Sequence, residues 1–271
     1  MTSILDERER RMGSRLATTL SPRTAEASET IIPSCANEIT ILSTHHDESY
    51  KPKLAKVWSD AKSDAPNFPF YYTHTKRSVT TLIELHNTVE ELACYPNSCV
   101  VRGSLNQDGV AALAADGRVR RLQHADLGKK TKKITPPHFK DTPRSWCAFD
   151  IDKVLTPYDI TTHAPDAVQW FIENHLPFLQ GVGVVWKLSG SAGHPSKNKY
   201  ELRTHLWFLL TEPRSTAQVK KWVIANTKKG IVDLALFKIV QPHFTADPVL
   251  KYCTLTDPCT CLLYTSPSPR D

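Results

Sequence analysis

The stretch SWCAFDIDKVL, residues 145–155, limits what this chain can fold into more than any other. An apolar run ends in two aspartates two positions apart, Asp150 and Asp152. In a β-strand, residues i and i+2 point to the same face. The two carboxylates therefore stand side by side, and that costs energy unless a cation neutralises both. The run reads as a buried strand that delivers a metal site at its C-terminal end. The bland alternative is a solvated pair capping the strand.

The segments that follow have clear periods. APDAVQWFIENHL (164–176) reads as a helix, with Pro165 in its first turn and Pro177 just past its end. GVGVVWKLSGSAG (181–193) reads as a strand entering a Gly/Ser turn, and LRTHLWFLLTE (202–212) as the next strand. STAQVKKWVIANTKK (215–229) reads as a helix and GIVDLALF (230–237) as a last strand. The order is β-α-β-β-α-β. It predicts an α+β, ferredoxin-like (split βαβ) antiparallel sheet with helices on one face.

Upstream, FPFYYTH (68–74) reads as a strand, and residues 78–95 as an amphipathic helix with Ser78 as its N-cap. SCVVRGSL (98–105) reads as a strand ending at Gly103, and 51–62 as one short helix. Residues 106–144 read as a basic, irregular connection containing Pro136, Pro137 and Pro143. Residues 1–50 are polar and Ser/Thr-rich, the composition of a flexible arm. The expected organisation is an arm over 1–50, an N-terminal α/β module with a basic linker over 51–140, and a second module, which carries the aspartate pair, over 141–258. The tail CLLYTSPSPRD (261–271) resembles translated sequencing adapter and is set aside from fold reasoning, so the gene is expected to continue past about residue 258.

Apolar content of 40% and charged content of 23% suit a soluble globular protein. No apolar run approaches the ~20 residues of a membrane helix, and the charged N-terminus lacks a secretory core, so an intracellular, cytoplasmic protein is expected. The seven cysteines form no CxxC pair and read as free thiols, with Cys94 and Cys147 in the core. The net charge of +6 is moderate. Its densest part is 127–140, with Lys129, Lys130, Lys132 and Lys133, which reads as a solvated linker or a weak nucleic-acid contact.

The matches AFDID, SGSAGH followed by RTHLWF, and IVDLAL resemble the three motifs of the archaeo-eukaryotic primase superfamily. In that family an apolar strand ends in two acids, a Ser-and-His strand follows, and an aspartate comes after an apolar residue. VQPHFTADPVL (240–250) is similar to a segment after the third motif in primase-like proteins of phages and plasmids. Here PSKNKYEL separates the serines from the histidine. A longer hairpin loop between adjacent strands would still bring Ser189 or Ser191 near His205.

The resemblance covers about 68–258 and implies an RRM-like catalytic module. It implies Asp150, Asp152 and Asp233 as catalytic metal ligands for two Mg²⁺ or Mn²⁺ ions, with Asp247 as rival third acid. It implies Lys187, Ser189, Ser191, Arg203 and His205 as nucleotide-binding residues, with His243 and Thr245 as further candidates. Arg102 is a weak candidate to reach template or nucleotide, whereas core packing suits Trp186 and Trp207.

The function implied is that of a DNA primase or primase-polymerase of a phage, plasmid or integrated element: nucleotidyl transfer from nucleoside triphosphates on a single-stranded DNA template. A helicase domain beyond the sequence would be its partner. The alternatives are a metal-dependent nuclease and a non-catalytic replication-initiation or single-stranded DNA-binding module.

Overall fold

A computed structural model describes residues 34–44, 54–64, 68–127, 134–251, 254–258 and 261–264. The architecture is α+β, with antiparallel sheets and flanking helices. The first sheet contains β1 (Glu38–Ser43), β2 (Tyr71–Ser78), β3 (Ser98–Val101) and β4 (Val119–Arg120), in the order β3-β1-β2-β4. Helix α1 (Leu82–Ala93) precedes β3, and α2 (Gln107–Asp116) precedes β4. The second sheet contains β5 (Arg144–Leu155), β6 (Val184–Leu188), β7 (Glu201–Arg214) and β8 (Cys261–Tyr264), in the order β5-β7-β6-β8. Helix α3 (Ala164–His175) joins β5 to β6, and α4 (Thr216–Asn226) follows β7. Strand β7 runs antiparallel to both neighbours, so β5 and β6 are parallel with β7 inserted between them.

Strict alternation gives this second sheet two dissimilar faces. Cys147, Phe149, Ile151, Val184, Trp186, Leu206 and Phe208 point to one face, where α3 and α4 cover them with Val168, Phe171, Ile172, Val219 and Val223. Trp146, Ala148, Val185 and Trp207 point the other way and meet Ile39, Ile41 and Val100 of the first sheet and Leu85, Val89 and Leu92 of α1. Asp150, Lys187 and His205 continue that second face, because Asp150 lies opposite His205 and His205 opposite Lys187.

Two fully buried arginines join the sheets reciprocally. Arg102, from the end of β3, donates to the carbonyls of Trp146 and Arg214 and to Thr216 Oγ1. Arg144, at the start of β5, donates to the carbonyls of Arg102 and Cys35 and to Thr40 Oγ1. Carbonyl and hydroxyl oxygens thus offset what burial costs these cations. Arg102 is therefore a structural cation and does not reach a template.

Several expectations are corrected. Residues 38–43 are not part of an arm: β1 is a central strand paired with both β2 and β3. The segment expected to be helical at 51–62 holds the two-residue strand Val57–Trp58, paired with Val249–Leu250 and Ser63–Asp64. Helix α1 starts at Leu82, because Thr81 and Glu84 form a capping box; Ser78 ends β2 instead. The supposed irregular connection contains α2, capped by Asn106 and stopped by Gly117 in the left-handed conformation.

The stretch 230–237 is not a strand. It forms turns and the 3₁₀ helix Leu234–Leu236, tied to β5 by the Asp233 N–H donating to the Asp150 carbonyl. The fourth strand of the sheet is β8, from the tail set aside on composition, and it sits on the opposite edge beside β6. Edge pairing uses backbone groups, so it asks little of the added segment's sequence. Cys147 is buried as expected, whereas Cys94 is exposed at the end of α1. Among the described residues no helix is long and apolar enough to cross a membrane.

Candidate active site

Where the second face of the β5-β7-β6 sheet turns polar, the first unit stops covering it and a cleft of about 240 Å³ opens. Asp150, Asp152, Ser189, Ser191, Arg203 and His205 all line it. Leu54, Ala55 and Lys56 form one wall, and Phe244 and Ala246 another. Six of the eight residues expected to hold metal or nucleotide thus meet at one place, from segments more than fifty positions apart.

Each side chain has a local reason to be there. Asp150 faces His205 across the β5-β7 ladder, with His205 Nε2 3.3 Å from Asp150 Oδ1. Past Ile151 the ladder shifts register, so three residues of β5 span two of β7. Lys153, in that bulge, has φ 62°, a left-handed conformation that L side chains rarely adopt. The bulge keeps Asp152 at the cleft, where it accepts a hydrogen bond from Arg203 Nη1 and lies 3.9 Å from Lys153 Nζ. Arg203 also pairs with Glu201.

The hairpin loop after β6 behaves as the longer connection that the sequence suggested. Ser189 and Ser191 hydroxyls lie 3.4 Å apart beside the cleft. Gly190 between them accepts from Trp58 Nε1 at 2.8 Å. His194 pins the far side of the loop, 2.9 Å from the Ser59 carbonyl. A Cβ on Gly190 would come within 3.3 Å of Lys56 Cγ, so this glycine lets the lysine stem cross the loop at close range.

Lys56 was not legible in the sequence as a site residue. Its ammonium is pushed below the ordinary lysine range. The lowering comes first from burial, with Lys197 and Arg203 as nearby cations and Asp152 as the nearby opposing charge.

Asp233 and Lys187, the other two of the eight, and the further candidates Asp247, His243 and Thr245 fall outside the cleft lining. Asp233 is exposed, and its Oδ1 accepts from the Ala235 N–H as the cap of the 3₁₀ helix. Lys187 lies in the Asp150–His205 row but two strand spacings from Asp150, roughly 10 Å, and it is buried in an ion pair with Asp247. That pairing occupies the rival third acid as well. His243 and Thr245 are buried behind the site, at 1% exposure each, and His243 packs against Trp146 and Trp207. Burial, with His205 and Arg102 nearby, holds His243 well below the ordinary imidazole range. Lys129, Lys130, Lys132 and Lys133 lie outside the described residues.

Among the described residues no three acids, histidines or cysteines gather closely enough to hold a metal ion by themselves. Two carboxylates on one strand face are nevertheless a donor set suited to Mg²⁺, which keeps waters and substrate phosphates in its sphere and takes only one or two carboxylates from protein. The chain matches no family model, no curated protein and no solved structure, so the chemistry of the site rests on its own residues.

Proposed function

We propose that this cleft binds a nucleoside triphosphate with divalent cations, and that the chain carries the RRM-like nucleotidyl-transfer module of a DNA primase or primase-polymerase of a phage, plasmid or integrated element. One observation carries the reading: Asp150 and Asp152 share a cleft with Arg203, His205, Lys56 and two serine hydroxyls. Carboxylates suit cations, whereas guanidinium, ammonium and hydroxyl donors suit phosphate oxygens. A site for a metal ion alone would have little use for the cationic side chains.

These opposite charges pair with one another, as in the Arg203–Asp152 and His205–Asp150 contacts. Asp150 and Asp152 would hold Mg²⁺ or Mn²⁺, and Arg203, now paired with Asp152, would donate to a phosphate oxygen. Lys56 in the cleft lining would neutralise phosphate charge, and His205 would donate to a phosphate oxygen beside Asp150. Bound divalent ions would neutralise the charge developing on the attacking 3′-oxygen and the leaving pyrophosphate. Asp233 uses Oδ1 for its cap, and its second carboxylate oxygen would be the one offered to a metal ion. The template is single-stranded DNA in this reading, and a helicase would supply it.

The test is incorporation of labelled nucleotide on a single-stranded template with Mg²⁺ or Mn²⁺. Asp150→Ala is expected to lower the rate at least ~100-fold, matching the several kcal/mol of stabilisation that such ions supply, with an unchanged circular dichroism spectrum. Full activity in that variant would remove the metal role. DNA hydrolysis without added nucleotide would make the same acids a nuclease site. Chelator-insensitive DNA binding with no product would leave only a binding module.

A further inference from the structure

The first unit carries an arrangement that the cleft does not use. Phe68, Phe70 and Tyr71 are 45%, 75% and 51% exposed. Scattered exposed apolar residues need no explanation, but each of these rings carries an arginine. Arg121 Cζ lies 5.1 Å from the Phe68 ring centre, Arg120 Cζ 5.8 Å from that of Phe70, and Arg118 Cζ 5.3 Å from that of Tyr71. The pairing follows from the short β2-β4 ladder, in which Tyr71 lies opposite Arg120 and Tyr72 opposite Val119. Two of the guanidiniums are anchored. Arg121 donates to the Val240 carbonyl, and Arg120 donates to Thr135 Oγ1 and pairs with Asp126 at 2.8 Å.

The row also has a direction. At its inner end the Phe68 ring lies 5.7 Å from the ring of Phe244, which lines the candidate active site. Phe70 and Tyr71 follow Phe68 closely in the chain, both more exposed than it, with Arg118 beside Tyr71. We propose that this row of arginine-backed rings is a track for single-stranded DNA, leading the template strand to the cleft. An arginine over one face of a ring fixes the ring and leaves its other face for a base, while the guanidinium stays near the phosphates. Protein-binding patches have a charge-poor centre; here a cation accompanies every ring. A duplex keeps its base faces stacked and offers such rings nothing.

The role as template track rests on the nucleotidyl-transfer reading; the binding itself does not, and it can be read separately. The probe is a fluorescent dT oligonucleotide of about 16 nucleotides, the upper end of single-strand site sizes, followed by anisotropy. The double variant Phe70→Ala/Tyr71→Ala removes only exposed rings and is expected to keep the wild-type melting temperature while losing affinity about tenfold per ring. Arg118→Gln is expected to weaken binding and lower the slope of log affinity against log salt by up to about 1.

Wild-type affinity in the ring variant would overturn the track, as would preference for duplex or an rU competitor that displaces dT. If wild type incorporates no nucleotide but the ring variant loses dT, the track stands and the catalytic reading falls. If the ring variant binds dT unchanged and still incorporates nucleotide, the track falls and the catalytic reading stands.

Discussion

The two ends of one sheet face make an instructive pair. Trp146, Ala148, Val185 and Trp207 occupy one end; Asp150, Asp152, Arg203 and His205 occupy the other. Both sets point the same way by the same alternation, the first from β5, β6 and β7 and the second from β5 and β7. The apolar end is sealed by the first sheet and α1, whereas the charged end is left as a cleft. Strand geometry thus settles direction, and side-chain chemistry settles where covering stops. Sealing a row of charges under an apolar layer costs far more than the layer gains, so the covering unit stands off at the Asp150–His205 row.

The largest test of that division sets the two ends against each other. Trp207 is fully buried, and Trp207→Ala is expected to cost about 3–5 kcal/mol in urea unfolding. Asp150→Asn removes one of two neighbouring negative charges and is expected to leave the midpoint unmoved or raised. A marked loss of stability from Asp150→Asn would break the comparison.

A middle-sized effect comes from the boundary between the ends. His243 is held neutral there between the two tryptophans. The unfolded chain takes up a proton near pH 6.5 that the folded chain refuses, so this contribution is complete above that pH and is lost as pH falls below it. The loss is up to ~1.4 kcal/mol per pH unit for one such histidine. His74, His138 and His175, also lowered by burial, act in the same direction. Unfolding free energies at pH 7 and pH 5 should show the decline, and His243→Phe should flatten it by about one proton.

The smallest effect sharpens the charged end alone. Lys153→Gly relieves a left-handed lysine and is expected to raise stability by about 1 kcal/mol. No gain would mean that the lysine's contact with Asp152 offsets the strain.

Much of the second unit was legible because its signals are local. Strands β5, β6 and β7 follow from alternation, α3 from its flanking prolines, and α4 from its period, beginning at Ser215. The i, i+2 rule and one hairpin are enough to place Asp150, Asp152, Ser189, Ser191, Arg203 and His205 together. What failed depended on distant partners. The strand EITILS is a short window inside a polar region, and only its pairing on both edges makes it central. Helix α2 has caps at both ends but almost no buried face, so apolar periodicity passes over it. GIVDLALF is apolar enough for a strand, yet Asp233 diverts it into a capped turn. Lys56 reaches the cleft through tertiary contacts that no spacing encodes. Arg102 shows the converse, since a buried arginine and a phosphate-binding one look alike in a sequence.

The crossed arginines carry a practical consequence. Arg144 belongs to the segment 141–258 by sequence, but its donors are satisfied by oxygens of residues 35, 40 and 102; Arg102 repeats the arrangement in the opposite sense. Cutting the polypeptide near residue 140 would strand one guanidinium in each fragment and bare the paired indoles of Trp146 and Trp207. The geometry of the cleft is therefore the property of an inseparable couple, and it cannot be isolated by trimming away the N-terminal half.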